Sequence, residues 1–202
     1  MLLSNAAIKD AIEDGRLVIS PFDGRQMDAN SVNLTLDNII QVPKVDSPIT
    51  IKFGEGNVIN LLEKHSTKFT INEFQPFELK PNIFILGTTK ETVWFKGITD
   101  LENDGIVKDI REEKKRLLAG RVEGKSSYAR MGLIVHFTAP TIHNGFHGRI
   151  TLELINFGPH SIMLTGDKPI CQLLIEEVLG FPSDDYKSIF QGQSQPSGSR
   201  ND

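Results

Sequence analysis

Hydrophobic and polar residues alternate along much of this chain, which is the period-two pattern of half-buried strands. Val32, Leu34 and Leu36, for example, alternate with Asn33 and Thr35. Further short segments rich in hydrophobic residues predict strands at 17–19, 49–53, 67–71, 83–89, 92–95, 133–138, 149–155, 161–164 and 170–176. Pro, Gly and Asn separate many of these segments. Many short strands with closely spaced turn signals predict an all-β barrel or sandwich.

Two segments predict helices instead. In residues 4–14, alanine and isoleucine follow a capping residue, Ser4 or Asn5, and Gly15 ends the segment. In residues 105–119, apolar residues are spaced among charges, and one oppositely charged pair lies four positions apart. We therefore expect a short N-terminal helix and a second helix that interrupts the succession of strands.

The last twenty residues differ in composition from the rest. From about residue 183 the chain is polar, and its end is rich in Gln, Ser, Gly and Pro. A segment without a core-forming pattern is expected to be mobile. The sequence therefore predicts a β domain at residues 1–182 and a flexible C-terminal tail at residues 183–202, with no internal repeat.

Charge and composition narrow the classes of function. The formal net charge of −4 argues against broad attraction to nucleic acid, although a small anionic ligand needs only local positive charge. No apolar run approaches the roughly 18 residues of a membrane span, and the N-terminus does not resemble a signal peptide. The single cysteine, Cys171, allows no intramolecular disulfide and is consistent with a cytoplasmic protein.

One polar segment suits the binding of phosphate. From Gly124 to Arg130 the sequence reads Gly-Lys-Ser-Ser-Tyr-Ala-Arg, so a glycine, two cations and two hydroxyls lie within seven residues. Phosphate oxygens accept hydrogen bonds from backbone N–H groups, hydroxyls and arginine. The alternative is an ordinary polar turn that enters a strand, because Gly and Ser dominate turns. The segment alone leaves both interpretations open.

A carboxylate in an apolar strand is the second candidate for chemistry. Within residues 149–155, period two places Glu153 on the strand face opposite three aliphatic side chains, Ile150, Leu152 and Leu154. That face is either solvated, as is usual for glutamate, or it presents a half-buried acid–base group with a raised pKa. Residue pattern alone does not decide between them.

Three histidines, His136, His143 and His147, raise the question of a metal. They fall on a predicted strand and turn and do not share one helix face. With one cysteine and no Cys-x-x-Cys pair, the ligand pattern of zinc deaminases is missing. We therefore expect no zinc and no metal held by protein side chains.

Several segments resemble one enzyme family in the same order along the chain. Residues 124–133, Gly-Lys-Ser-Ser-Tyr-Ala-Arg-Met-Gly-Leu, resemble the Gly-Arg-Ser-Ser-Leu-Ala-Arg-Leu-Gly-Leu signature of dCTP deaminases, in the dUTPase superfamily. Residues 145–153 resemble that family's Gly-(aromatic)-x-Gly-x-Ile-x-Leu-Glu, whose glutamate is catalytic. Residues 170–173 are similar to Ile-Gly-Gln-Leu, residues 190–193 to Tyr-Gln-Gly-Gln, and residues 28–34 to the N-terminal strand.

The resemblance implies a fold, an assembly and a reaction. The fold would be a distorted β-barrel or jelly roll of the dUTPase-like (β-clip) type, with the helix at 105–119 as an insertion. The protein would be a homotrimer with active sites between subunits. It would deaminate dCTP hydrolytically to dUTP and ammonia, as a hydrolase of a cyclic amidine C–N bond. The substrate would arrive as its Mg²⁺ complex, without zinc.

The resemblance also implies roles for individual residues. Glu153 would shuttle protons between the attacking water, cytosine N3 and the leaving ammonia, and Ser126 and Arg130 would position the water and the base. The remaining nucleotide contacts would be Lys125 and Ser127 on the triphosphate, His143 near the sugar, the backbone from Thr151 through Leu152 to Glu153, and Gln172, Tyr186 and Gln193, with the tail closing as a lid.

Position 143 leaves the product open. His143 stands where the family has an aspartate that, in dUTPases, activates the water attacking the α-phosphate. We therefore expect plain dUTP formation over the alternative, a bifunctional enzyme that gives dUMP and pyrophosphate. A second alternative is a catalytically silent homologue that senses deoxynucleotides. Lys125 replaces the family's arginine, which keeps the charge but loses bidentate geometry.

Overall fold

A computed structural model of the chain describes residues 1–46, 48–52, 57–106 and 116–200. Strands dominate these residues. The helices are α1 (Asn5–Glu13), α2 (Val58–Lys64), α3 (Ile98–Asn103) and α4 (Ser126–Ala129). The strands are β1 (Leu17–Ser20), β2 (Val32–Pro43), β3 (Ser66–Thr70), β4 (Phe77–Leu79), β5 (Phe84–Phe95), β6 (Leu118–Gly124), β7 (Leu133–Ile134), β8 (Thr141–Ile142), β9 (His147–Asn156), β10 (Ile162–Leu164) and β11 (Pro169–Glu177).

The strands form one large antiparallel sheet and one small one. The large sheet has the order β7-β9-β5-β2-β11-β6-β8, with β1 paired to β5 and β3 paired to β2. Strands β10 and β4 form the second sheet. The sheet order differs widely from the chain order, so long-range pairing brings distant segments of sequence together. The predicted mainly-β fold is confirmed.

The core lies on one face of the large sheet. Along β9 the side chains of Ile150, Leu152 and Leu154 are buried, and their neighbours at odd-numbered positions are not. Burying each such aliphatic side chain contributes roughly 1.5–3 kcal/mol, so a slip of one residue in the register of β9 would reverse its faces at a large cost.

Helix α1 forms where the sequence predicts it. The Ser4 hydroxyl accepts a hydrogen bond from the Ala7 N–H, which satisfies one free donor of the first turn. Ile8 and Ala11 lie on the buried side of the helix, three positions apart. Gly15 follows with a φ of 79°, a conformation that glycine adopts without strain. None of the described helices is long and apolar enough to cross a membrane.

Four expectations about elements need correction. Of the strand predicted at 133–138, only Leu133 and Ile134 form a strand, β7. Residues 49–52 form no strand, and residue 53 lies outside the described residues. The strands predicted at 83–89 and 92–95 are one strand, β5, whose pairing with β9 shifts register between Thr88 and Thr92. Most of the helix predicted at 105–119 lies outside the described residues, but residues 118 and 119 begin β6, where they pair with β11.

Several short elements escaped sequence reasoning. Helices α2 and α3 and strands β4 and β8 are each at most seven residues long, so their periodicity is too brief to recognise. Helix α4 begins within the segment whose alternative interpretation was a polar turn.

Candidate active site

Glu153 extends from β9 into a cavity of about 310 Å³. The side chains of Thr151 and Glu153 are half-buried and line this cavity, so the odd-numbered face of β9 is not a fully solvated surface. The cavity wall also includes His136, His143, Phe146, Tyr186, Phe190, Gln193 and Ser197, together with Val58 and Leu62 of α2. Glu153 is therefore half-buried, and its role as an acid–base group stays a prediction.

The segment that follows β7 fixes the orientation of Glu153. The backbone N–H of Phe137 donates a hydrogen bond of 2.7 Å to Oε2 of the carboxylate. The N–H of Glu153 itself donates to the carbonyl of Val135 at 3.2 Å. Because both bonds go to the same segment, the carboxylate is held at one place on the cavity wall. A group that moves protons benefits from such fixed geometry.

The backbone of Thr151 borders a gap at the edge of β9. The N–H of Arg149 donates to the Gln193 carbonyl at 2.9 Å, and the N–H of Glu153 donates to the Val135 carbonyl. Alternate residues of a strand direct their backbone groups to the same edge. The N–H and carbonyl of Thr151 therefore face the gap between the tail and the segment after β7. This edge offers a donor and an acceptor to a planar base.

The tail forms one wall of the cavity. The side-chain amide of Gln193, which is only 7% exposed, donates to the carbonyl of Arg149 at 2.7 Å. The N–H of Gly192 donates to the carbonyl of His147 at 2.7 Å. Farther along, the Ser197 hydroxyl donates to a carboxylate oxygen of Glu63 on α2. In this structure the tail packs over the site, and its mobility stays a prediction.

Two of the three histidines line the cavity. The ring of His143 stacks on the ring of Tyr186, with centroids 5.0 Å apart and an angle of 28°. The Nδ1 atom of His136 is buried, and its Nε2 lies 3.9 Å from a carboxylate oxygen of Glu123. His147 contacts Trp94 instead. Among the described residues, no three His, Cys, Asp or Glu side chains form a group that could hold a metal ion.

The polar segment from Gly124 to Arg130, which suits the binding of phosphate, lines no part of the Glu153 cavity. Ser126 and Ser127 are exposed at the start of α4, and Arg130 lines a second cavity, of about 460 Å³, with residues 158–162. The two cavities share no lining residue. Within one chain the structure therefore brings Glu153 together with Thr151, His143, Tyr186 and Gln193, and it does not bring Ser126 or Arg130 to Glu153.

Lys125 and Gln172 line neither of these two cavities. The Lys125 ammonium donates to the side-chain oxygen of Asn33 on β2. The Gln172 amide on β11 donates to Asp28 at 3.1 Å. Leu152 is fully buried on the core side of β9, so only its backbone remains available for the predicted base contact. Within one chain, the predicted site residues thus divide into those that line the Glu153 cavity and those that do not.

Sequence reasoning missed some of the cavity wall. His136 was considered only as a metal ligand, and Phe190 and Ser197 only as parts of motifs or tail. Their position in the wall depends on the tail crossing β9 and reaching α2. No local periodicity signals a contact between residues more than one hundred positions apart.

Comparisons with known proteins agree on a family. The sequence model of a family described as dCTP deaminase-like matches residues 2–96 and 112–178. A protein of Dictyoglomus thermophilum named "dCTP deaminase, dUMP-forming" is 36% identical, over 99% of this chain and 94% of its own length. A protein of Rhodococcus erythropolis with the same name is 35% identical, over 99% of this chain and 96% of its own length.

A solved structure shares the fold. It is the crystal structure of 2'-deoxycytidine 5'-triphosphate deaminase from Agrobacterium tumefaciens, with a TM-score of 0.59 and 15% identity. The match covers 86% of this chain but only 46% of that chain, so this chain spans about half the length of that protein. The fold that the resemblance to dCTP deaminases implied is thereby confirmed. On the family match and the two full-length relatives, the chain belongs to the dCTP deaminase-like family.

Proposed function

We propose that this protein deaminates dCTP and then cleaves the triphosphate, so that the final products are dUMP, pyrophosphate and ammonia. The prediction that the chain is an enzyme acting on dCTP is confirmed by full-length relatives that carry an enzyme's name. Their names also favour dUMP formation over our expectation of plain dUTP. The observation that carries the deamination is the half-buried Glu153 carboxylate, held against the cavity by the Phe137 N–H.

Deamination would use Glu153 as the acid–base group. Water attacks C4 of cytosine, Glu153 accepts its proton and passes protons to N3 and the amino group, and ammonia leaves. The balance is dCTP + H₂O → dUTP + NH₃. A positioned acid–base group contributes typically 10²–10⁴-fold to such a step. The backbone of Thr151, at the gap beside Glu153, would hold the polar edge of the base.

Ser126 and Arg130 would reach the base from a neighbouring subunit of a homotrimer. Two observations support this assembly. The Arg130 cavity and the Glu153 cavity share no residue within one chain. In addition, Met131, Phe137 and Phe157 are 50%, 54% and 54% exposed. The rings of Phe137 and Phe157 lie 6.5 Å apart, and contiguous exposed apolar side chains are typical of surfaces that another chain covers.

His143 would act in the second step. The balance is dUTP + H₂O → dUMP + pyrophosphate, and the water that attacks the α-phosphorus must lose a proton. A neutral imidazole accepts a proton near pH 7, and His143 lines the cavity with its ring stacked on Tyr186. The Mg²⁺ ion would enter with the triphosphate as part of the substrate. The tail at residues 183–200 would remain closed during the reaction, as a lid that excludes bulk water.

A Glu153→Gln variant tests the first step. We expect ammonia release from Mg·dCTP to fall at least about 100-fold, because the amide cannot accept the proton, while dCTP binding is retained. Glu78→Gln is the matched control, since Glu78 is an exposed strand glutamate on β4 and its loss should leave the rate unchanged. Near wild-type ammonia release by Glu153→Gln would overturn the mechanism.

The ratio of pyrophosphate to ammonia tests the second step. In His143→Asn the ring is lost but a polar side chain remains, so we expect this ratio to fall about 100-fold and dUTP to accumulate. An unchanged ratio in the variant would show that another group activates the water. A wild type that releases no pyrophosphate would exclude the dUMP-forming proposal itself.

A further inference from the structure

Polar side chains from three neighbouring strands meet on the surface that carries Lys125. In the order β2-β11-β6, Gln172 of β11 pairs in register with Asn33 of β2 on one side and with Glu123 of β6 on the other. The next residues along these strands, including Cys171 and Leu173, are fully buried. The side chains of Asn33, Gln172 and Glu123 therefore form a row on the outer face of the sheet. Lys125 follows Glu123 by two residues.

The amide of Asn33 has a fixed orientation. Its Nδ2 donates to the Gln26 carbonyl at 3.1 Å and to Oδ2 of Asp28 at 2.9 Å. A side-chain amide has two N–H donors, so both are used. Its oxygen accepts from the Lys125 ammonium. Rotating the amide by half a turn would direct N–H groups at the ammonium and the oxygen at a carboxylate, so the observed arrangement is the stable one.

A single carboxylate oxygen connects two predicted nucleotide contacts. Oδ2 of Asp28 accepts from Asn33, which holds Lys125, and also from Nε2 of Gln172 at 3.1 Å. Asp28 is itself held, because its N–H donates to the Ser31 carbonyl at 2.9 Å. Lys125 donates to the neutral amide of Asn33, which in turn donates to the Asp28 carboxylate. The lysine therefore remains able to exchange this contact for a phosphate oxygen.

We propose that Asp28 is a positioning residue, which orients Lys125 through Asn33 and orients Gln172 directly for binding the nucleotide. This inference rests on the proposed function, since it takes the ligand to be Mg·dCTP. For the affinity of an Asp28 variant for Mg·dCTP, the positioning role and simple electrostatics predict changes of opposite sign. Removing a negative charge near a triphosphate site should tighten binding if charge alone matters. Loss of positioning should weaken it.

A double-mutant cycle measures this effect as binding, in a Glu153→Gln background that prevents turnover. The probe is Mg·dCTP, and its Kd is measured by titration calorimetry for Asp28→Ala, Lys125→Met and the double variant. We expect Asp28→Ala to weaken binding about five-fold, the effect of one hydrogen bond. In the Lys125→Met background the same change should have a smaller effect, of about two-fold, because only the contact with Gln172 is then left to lose. Asp28→Asn, which removes the charge but keeps an acceptor oxygen, should weaken binding less than Asp28→Ala.

Asp23→Ala provides the matched control. Asp23 is an exposed carboxylate in the loop before β2, paired with Arg25, and its removal should leave the Kd unchanged. Tighter binding by Asp28→Ala, an unchanged Kd, or an equal effect in both Lys125 backgrounds would overturn the positioning role. Turnover of the protein with an intact Glu153 is assayed separately, so its absence would contradict the proposed function without altering the outcome of the binding cycle.

Discussion

Mixing two inactive variants tests whether each active site is built from two chains. Glu153 lines a cavity of about 310 Å³ and Arg130 lines one of about 460 Å³, with no residue in common. In the proposed trimer, each site takes Glu153 from one subunit and Arg130 from its neighbour. Arg130→Ala and Glu153→Gln should each be inactive alone, since every site of each homotrimer lacks one group.

The expected recovery follows from counting chains. In trimers assembled at random from equal amounts of the two variants, a site has an intact Glu153 with probability one half. It has an intact neighbouring Arg130 with probability one half. About one quarter of all sites are therefore complete in a closed cyclic assembly. Ammonia release by the co-expressed or co-refolded mixture should reach about 25% of the wild-type rate, against about 1% or less for each variant alone.

The control is a mixture of two variants at one position, Glu153→Gln with Glu153→Ala, which can form no complete site. A mixture of Arg130→Ala and Glu153→Gln that is no more active than this control would refute the shared site. Sedimentation of the mixed sample shows whether hybrid trimers formed.

Further predictions concern stability and reactivity. Gly132 has a φ of 91°, and a Cβ there would lie 2.2 Å from the Gly158 nitrogen, so Gly132→Ala should lower the unfolding free energy in urea by about 2–4 kcal/mol; a loss below about 0.5 kcal/mol would contradict this packing. Burial raises the pKa of the Cys171 thiol far above its usual range, so maleimide labelling should require unfolding, and rapid labelling of the native protein would contradict it. Desolvation raises the pKa of Glu63, but hydrogen bonds led by that of Ser197 outweigh it, and the pKa is lowered. The charged form is therefore favoured by folding, and Glu63→Gln should be less stable than wild type above about pH 4.3. The difference should disappear as the pH falls through the lowered pKa, and a difference that persists in acid would contradict it.

Local patterns predicted the elements whose periodicity is long and whose ends are marked. The seven-residue alternation at 149–155 located β9 and placed Glu153 on the face away from the core. The cap at Ser4 and the glycine at position 15 located α1 within one residue at each end. In both cases the interactions that decide the structure lie between residues close in sequence.

The features that the sequence did not predict depend on contacts between segments that are distant in the chain. The residues at 118 and 119 form a strand because β11 pairs with them, although their composition suits a helix equally well. The cavity around Glu153 depends on the tail, whose residue Gln193 bonds to β9 and whose residue Ser197 reaches α2. The tail sequence has no apolar periodicity, so nothing local in it indicates that Ser197 is 2% exposed.

The most direct test of the account is the product balance of the wild-type protein with Mg·dCTP. Ammonia, pyrophosphate and the nucleotide products are quantified over the same time course. We predict equal amounts of ammonia, pyrophosphate and dUMP, with little dUTP at any time. Ammonia accompanied by accumulating dUTP and no pyrophosphate would contradict the second step, and tight dCTP binding without ammonia would contradict the enzyme assignment.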